Sequence, residues 1–216
     1  MTPDLFADHV PGLEDEALDP GAVVLRGFAA PRAQALSRAL AAVAEAAPFR
    51  HLVTPGGFRM SVAMSNCGTA GWITDRKGYR YSAIDPVSGR PWPVLPGAFL
   101  ELAARAADAA GFANFAPDAC LINRYSPGAR MSLHQDKNER NLDAPIVSVS
   151  LGLPATFLFG GPKRSDRPQR VGLHHGDVVV WGAAARLNFH GVAPLADGSH
   201  PILGRERINL TLRQAL

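Results

Sequence analysis

The chain has 216 residues, 47% hydrophobic and 19% charged, which is enough for one domain with a real core and excludes a disordered or fibrous protein. Its 22 Lys and Arg against 19 Asp and Glu leave a net charge of +3, a mild basic excess that suits a polyanionic partner without naming one. Cys67 and Cys120 have neither C-x-x-C spacing nor a disulfide framework, so two buried free thiols in a reduced, cytoplasmic compartment are expected.

The opening MTPDLFADHV is acidic and interrupted by Pro3 and Pro11, unlike a secretory leader with a basic start and an apolar centre. No apolar run reaches membrane-spanning length, so no membrane partner is expected. Residues 22–28, AVVLRGF, read as a strand. Residues 31–47 read as a helix opened by Pro31 and closed before Pro48. Between 51 and 95 the chain is rich in Gly, Pro, Thr and aromatics, which predicts hairpins and loops rather than a core layer, of the kind that carries binding groups. A second helix is expected at 96–110, ended by Gly111.

After residue 118 the period changes to two. ACLINRYS, RMSLHQD, IVSVSLGL, ATFLFG, GDVVVW, RLNFHGV and RINLTLRQ are strand candidates separated by Pro and Gly turns. The fold class is therefore mainly β with flanking helices: a jelly roll, or double-stranded β-helix, at 115–216 with both helices outside it. The whole chain, 1–216, reads as one domain in which 20–114 forms an N-terminal extension.

In LHQDKNER, His134 and Asp136 share one face of a strand, with Leu133 and Gln135 on the other. Such a pair alone is more often a surface contact than a metal site. His190, in RLNFHG, lies 54 positions beyond Asp136 (190 − 136) on another predicted strand, and a jelly roll can bring the three together. Two histidines and one carboxylate on one side of a metal leave the opposite positions open, as a non-haem Fe(II) oxygenase requires, although zinc could use the same ligands. His174 and His175 precede the buried strand GDVVVW and receive no metal role; Trp181 reads as core.

In RINLTLR, Arg207, Asn209, Thr211 and Arg213 occupy one face and Ile208, Leu210 and Leu212 the other. A polar face on a core strand lines a pocket. A rise of ~3.3 Å per residue separates the two arginines by roughly 20 Å, so they do not grip one carboxylate side by side. Either they converge on a dicarboxylate from opposite ends, or one pairs with a protein acid. Asn123 and Tyr125 share a face of ACLINRY and add polar contacts.

LINRYSPGARMSLHQDKNE, IVSVSLGLPATFLFGG, HHGDVVVWG, LNFHG and RINLTLRQ, with FRHLVTPGGFRMSVAMSNCG and GWITDRKGYRYS upstream, together resemble the AlkB family of iron- and 2-oxoglutarate-dependent dioxygenases over residues 20–215. The resemblance implies that His134, Asp136 and His190 ligate Fe(II) and that 2-oxoglutarate chelates the metal through its keto oxygen and near carboxylate. Arg207 would hold the far carboxylate, and Asn123, Tyr125, Asn209 and Arg213 match the remaining cosubstrate contacts. With O2 as the other cosubstrate, the products would be succinate, carbon dioxide and, from an N-methyl group, formaldehyde.

The implied partner is single-stranded DNA or RNA with alkylated bases such as 1-methyladenine or 3-methylcytosine, and a monomer suffices. Trp72 matches the residue that stacks on a flipped base, with His134 across from it. Thr54, Tyr79 and Arg164 match positions near the nucleotide, which makes part of 51–95 a nucleotide-recognition lid. Asn138 stands in HQDKN where the family's bacterial members have aspartate, which implies a weakened preference for cationic lesions. On sequence alone Tyr81 is a hairpin residue, and Arg164 is a solvated loop charge in the cluster Lys163, Arg167 and Arg170 around Asp166. Two rival readings are the same iron chemistry on a protein or metabolite, and a metal-stabilised nucleic-acid-binding module without turnover. Trp72 weighs against the first, and the arginines of RINLTLR against the second.

Overall fold

The period-two segments pair as two facing antiparallel sheets, because each strand has one face that must be buried. The structure, a computed structural model, describes residues 14–216; the reading of MTPDLFADHV lies outside the described residues. In chain order the elements are β1 (Glu16–Asp19), β2 (Ala22–Leu25), α1 (Ala33–Ala46), β3 (Arg50–Val53), β4 (Arg59–Gly68), β5 (Gly71–Asp75), β6 (Gly78–Ser82) and α2 (Gly97–Ala109). There follow β7 (Ala119–Tyr125), β8 (Met131–His134), β9 (Ile146–Gly152), β10 (Ala155–Phe159), β11 (Gln169–Leu173), β12 (Val178–Trp181), β13 (His190–Val192) and β14 (Arg207–Arg213).

Eight strands form a large sheet in the order β1-β2-β12-β9-β14-β7-β4-β3, four form a smaller one in the order β11-β10-β13-β8, and β5-β6 is a separate hairpin. This is the expected jelly-roll class, but the large sheet is not confined to 115–216: β1 to β4 extend it at both edges. The outer face of the large sheet carries Ile122, Val147, Val149, Leu151, Ile208, Leu210 and Leu212, which join Leu36, Leu40 and Val43 of α1 and Phe99 and Leu102 of α2 in one core. The i, i+4, i+7 spacing of the α1 residues supplies the stripe that docks there. Each fully buried aliphatic of this layer contributes about 1.5–3 kcal/mol. Between the sheets, Phe157, Phe159, Val171, Leu173, Val179 and Trp181 fill the closed end of the roll. α2 ends as expected: Gly111 has φ +85, and the Phe112 N–H donates back to the Ala107 carbonyl at 2.8 Å.

Three further expectations change. Residues 59–68 are not loop: β4 is a ten-residue strand that pairs with β7 from Ala63↔Arg124 to Gly68↔Ala119. Its buried polar residues disguised it, and they are satisfied locally. Ser65 Oγ donates to the Ala47 carbonyl at 2.5 Å, while Asn66 accepts from the Trp72 N–H at 2.9 Å and donates to the Trp72 carbonyl at 3.1 Å. The segment RLNFHGV is strand only over His190–Val192, because the backbone before it is turned, with the Asn188 N–H donating to the Ala185 carbonyl at 2.9 Å. β8 ends at His134, so Asp136 lies beyond the ladder and not on a strand face.

Cys67 and Cys120 face each other in register across β4 and β7 and are buried and free. Among the described residues no helix is long and apolar enough to cross a membrane.

Candidate active site

β13 and β8 pair with His190 directly opposite His134, and the imidazoles sit 4.4 Å apart, tilted by 54°. Asp136 Oδ1 lies 3.7 Å from His134 Nε2, and Asp136 Oδ2 lies 3.7 Å from His190 Nε2. One ligand atom from each residue falls within 4.8 Å of the others, a spacing that fits a single metal ion. Each Nδ1 is 2.9 Å or 3.0 Å from a carbonyl, that of Ser132 or Asn188. A carbonyl only accepts, so each Nδ1 carries the proton and each Nε2 presents its lone pair to the centre, as a metal ligand must.

Arg207 is 1% exposed, with its guanidinium 5.0 Å from the Tyr125 ring centroid. It donates to Ser150 Oγ at 3.0 Å; Nε and Nη1 have no partner among the described residues. Burial lowers its pKa. A buried arginine with donors left open is costly, and the arrangement suits a carboxylate that supplies the missing acceptors. Asn209 donates to Ser148 Oγ at 2.8 Å, and its own carbonyl accepts from Asn123 at 3.2 Å and Thr211 at 2.9 Å. The metal-sized cluster and the open guanidinium therefore fit an iron ion and a dicarboxylate together.

The profile of the 2OG-Fe(II) oxygenase superfamily matches residues 21–213. The chain is 59% identical to the "Alpha-ketoglutarate-dependent dioxygenase AlkB" of Salmonella typhimurium over 98% of its own length and 97% of that protein's. The chain belongs to the AlkB family. It is an Fe(II)- and 2-oxoglutarate-dependent dioxygenase that uses O2. It is also 30% identical to the "tRNA demethylase abh1" of Schizosaccharomyces pombe, over 66% of this chain and 52% of that one. The solved structure of OsALKBH1 superposes with a TM-score of 0.80 at 28% identity, covering 93% of this chain and all of that one.

One cavity of about 890 Å³ in the dioxygenase is lined by every candidate named from the sequence, from Thr54 and Trp72 through Asn123, Tyr125 and the His134–Asp136–His190 cluster to Arg213. Trp72 stacks on Tyr79 at 5.3 Å and 13° and donates its indole N–H to Asn138 Oδ1 at 3.1 Å. Arg164 is exposed, as a loop charge is; it also lines the cavity, with its guanidinium 5.9 Å from the Phe189 ring centroid. Arg213 pairs with a protein acid, its Nε and Nη2 donating to Asp136 Oδ2 at 3.0 and 2.5 Å, and it also lines the cavity. His174 and His175 stand apart from the metal cluster, His175 Nδ1 accepting from the Gly152 N–H at 3.0 Å.

Sequence reasoning missed the roles of five residues. Ser148 and Ser150 alternate with Val147, Val149 and Leu151, so the period that exposed the polar face of β14 was available in β9 as well. Buried Glu139 and Arg186, 3.2 Å apart, gave no local signal, because a lone Glu and a lone Arg each read as surface. Tyr81 is a hairpin residue as expected, but its hydroxyl also donates to Glu139 at 2.7 Å, a contact with no local signal. Trp181 is core as expected, and its ring also packs 4.9 Å from that of His190.

Burial would raise the Asp136 carboxyl, but Arg213, His190 and His134 more than offset it and hold the group well below the ordinary carboxylate range. Burial and then the neighbouring His190 lower His134 to about 4. Its side chain keeps 38% exposure toward the cavity, so the protein wall around the ring, rather than full sealing, is the cause. Both groups thus rest in their metal-binding forms near neutrality. The unfolded chain takes up the His134 proton near 6.5 and the folded one only near 4, so the unfolded state binds more protons between them. The metal-free protein is expected to lose stability as pH falls through that window, read as a declining urea midpoint. A slope left unchanged in His134→Ala would assign the effect elsewhere.

Proposed function

We propose that this dioxygenase oxidatively dealkylates N-alkylated bases, such as 1-methyladenine and 3-methylcytosine, in single-stranded DNA or RNA. The carrying observation is that the Trp72–Tyr79 stack and the metal cluster line one cavity, whose lining also includes Arg59, Arg130, Lys137 and Arg164. An aromatic platform takes a base out of its stack, cations track the phosphates, and unstacking costs least in a single strand. The name of the fission-yeast relative agrees with such a substrate.

In this reading His134, Asp136 and His190 hold the iron, Arg207 takes the far carboxylate of 2-oxoglutarate, and Asn123, Tyr125 and Asn209 line its berth. When bound, the iron and 2-oxoglutarate supply the O2-driven oxidation of the N-methyl carbon, and the hydroxymethyl product releases formaldehyde. The chain's own work is orientation: Trp72 and Tyr79 hold the base plane, and Thr54 and Arg164 flank the nucleotide. All these groups come from one chain, so a monomer suffices; two buried free thiols suit a reduced cytoplasm. Trp72→Ala is expected to weaken binding of a methylated oligonucleotide by roughly 5- to 100-fold, the worth of one base–aromatic stack, measured by fluorescence anisotropy.

Asn138 spends its amide oxygen on the Trp72 indole and brings no charge to the base. A carboxylate there could keep that bond and add attraction for a cationic base. Asn138→Asp is therefore expected to raise the rate on 3-methylcytosine relative to a neutral lesion; unchanged relative rates would refute this role.

The direct test is the mass of a single-stranded oligonucleotide carrying one 3-methylcytosine after incubation with protein, Fe(II), 2-oxoglutarate and O2, beside a His134→Ala control. Loss of one methylene mass with the intact protein alone supports the reading. Succinate with an unchanged oligonucleotide would move the substrate to a protein or metabolite.

A further inference from the structure

We propose that Glu139 is a positioning residue that ties the lid hairpin to the metal-ligating carboxylate, so that docking of the hairpin and the orientation of Asp136 form one equilibrium. Asp136 needs such a support because β8 ends two residues before it and no sheet ladder holds it. Two arginines do so instead. Arg213 grips its side chain through Nε and Nη2, and Arg186 Nη1 donates to its backbone carbonyl at 2.7 Å.

Glu139 holds both arginines. Its side chain is 2% exposed, with Oε2 3.2 Å from Arg186 Nη2 and Oε1 3.4 Å from Arg213 Nε. The same Oε1 accepts the Tyr81 hydroxyl at 2.7 Å, and Arg213 Nη1 donates to that hydroxyl at 3.3 Å. Tyr81 belongs to β6, directly opposite Trp72 of β5. Trp72 bonds Asn138. One cross-strand pair of the hairpin therefore grips two consecutive residues, Asn138 and Glu139, of the segment that carries Asp136.

Stability alone does not explain this cluster. Buried ion pairs often gain nothing over apolar packing of the same volume, and their best-attested role is to specify one arrangement among several. Two carboxylates and two guanidinium groups balance in charge, and the Tyr81 hydroxyl is the link by which the cluster reaches the hairpin. A metal that draws on Asp136 shifts the pull on Arg213, and that change reaches the hairpin through Glu139 and Tyr81. Coupling between two sites is reciprocal, so a docked hairpin also favours the metal-binding orientation of Asp136.

The test uses the full chain, Co(II) as a redox-silent probe, and hydrogen exchange of residues 71–82 read by mass spectrometry with and without saturating Co(II) and 2-oxoglutarate. In the native protein the metal is expected to slow hairpin exchange roughly tenfold, and in Tyr81→Phe by less than about twofold, a loss within the usual range of coupling between sites. Glu139→Gln should also lose the response and alter the visible absorption of bound Co(II), because Arg213 then pulls on Asp136 alone. If that variant fails to fold, Tyr81→Phe still decides, since it removes one oxygen and leaves all four charges in place. Equal slowing in native and Tyr81→Phe proteins, or no slowing in the native protein, overturns the proposal. The experiment contains no nucleic acid, so its failure is separate from failure of the substrate reading.

Discussion

Asp136→Ala is expected to abolish succinate formation and to destabilise the metal-free protein by about 3–5 kcal/mol, the usual cost of leaving one member of a buried pair uncompensated. Two roles of one carboxylate cause the double effect. Asp136 completes the cluster with His134 and His190, and it is the nearest counter-charge of Arg213, whose side chain is 5% exposed. Removing it leaves a buried guanidinium with Glu139 at 3.4 Å and the neutral Tyr81 hydroxyl at 3.3 Å. His134→Ala should abolish turnover as well, yet cost much less stability, because its ring is 38% exposed and carries no buried charge. A chelator should stop turnover without the stability loss caused by substitution. Urea denaturation of the metal-free variants, beside Co(II) titration, separates the two roles; equal stability losses for Asp136→Ala and His134→Ala would refute the assignment.

Arg207→Met is expected to raise the KM for 2-oxoglutarate by roughly 30-fold or more, since truncating one side of a buried charged pair costs about 2–5 kcal/mol and each 1.4 kcal/mol is about tenfold. The same variant should be as stable as the native protein, or more so, without cosubstrate. Arg207 Nε and Nη1 have no partner among the described residues, so the folded chain bears an unmet desolvation cost that a Met of similar length removes. Affinity and apo stability should thus move in opposite directions. Steady-state kinetics with varied 2-oxoglutarate and a thermal melt of the metal-free protein check both halves. A large fall in melting temperature with an unchanged KM would make Arg207 a structural residue.

The period-two residues carried most of what could be read in advance. Ile208, Leu210 and Leu212 were assignable to the core and Arg207, Asn209, Thr211 and Arg213 to a pocket because strand side chains alternate strictly, whatever their partners. α1 and α2 were legible for the same reason at period 3.6, sharpened by Pro31 and Gly111. The strand at 59–68 was not, because Ser65 and Asn66 look like loop residues until the Ala47 and Trp72 backbone groups that satisfy them are in place. His134 and Asp136 were correctly brought together on a wrong premise: Asp136 is off the strand, and two arginines put it where strand geometry was expected to.

Local chemistry determined which residue types face the pocket, since periodicity, turns and caps act over a few positions. Tertiary structure alone decided which of them meet. His190 comes opposite His134 only through the pairing of β13 with β8. Arg213 reaches Asp136, 77 positions away. Glu139 becomes a buried anchor only because Arg186, Arg213 and Tyr81 arrive from three distant segments. A buried charge is tolerated only where its counter-charges converge, and that convergence is a property of the closed roll, not of any stretch of the chain.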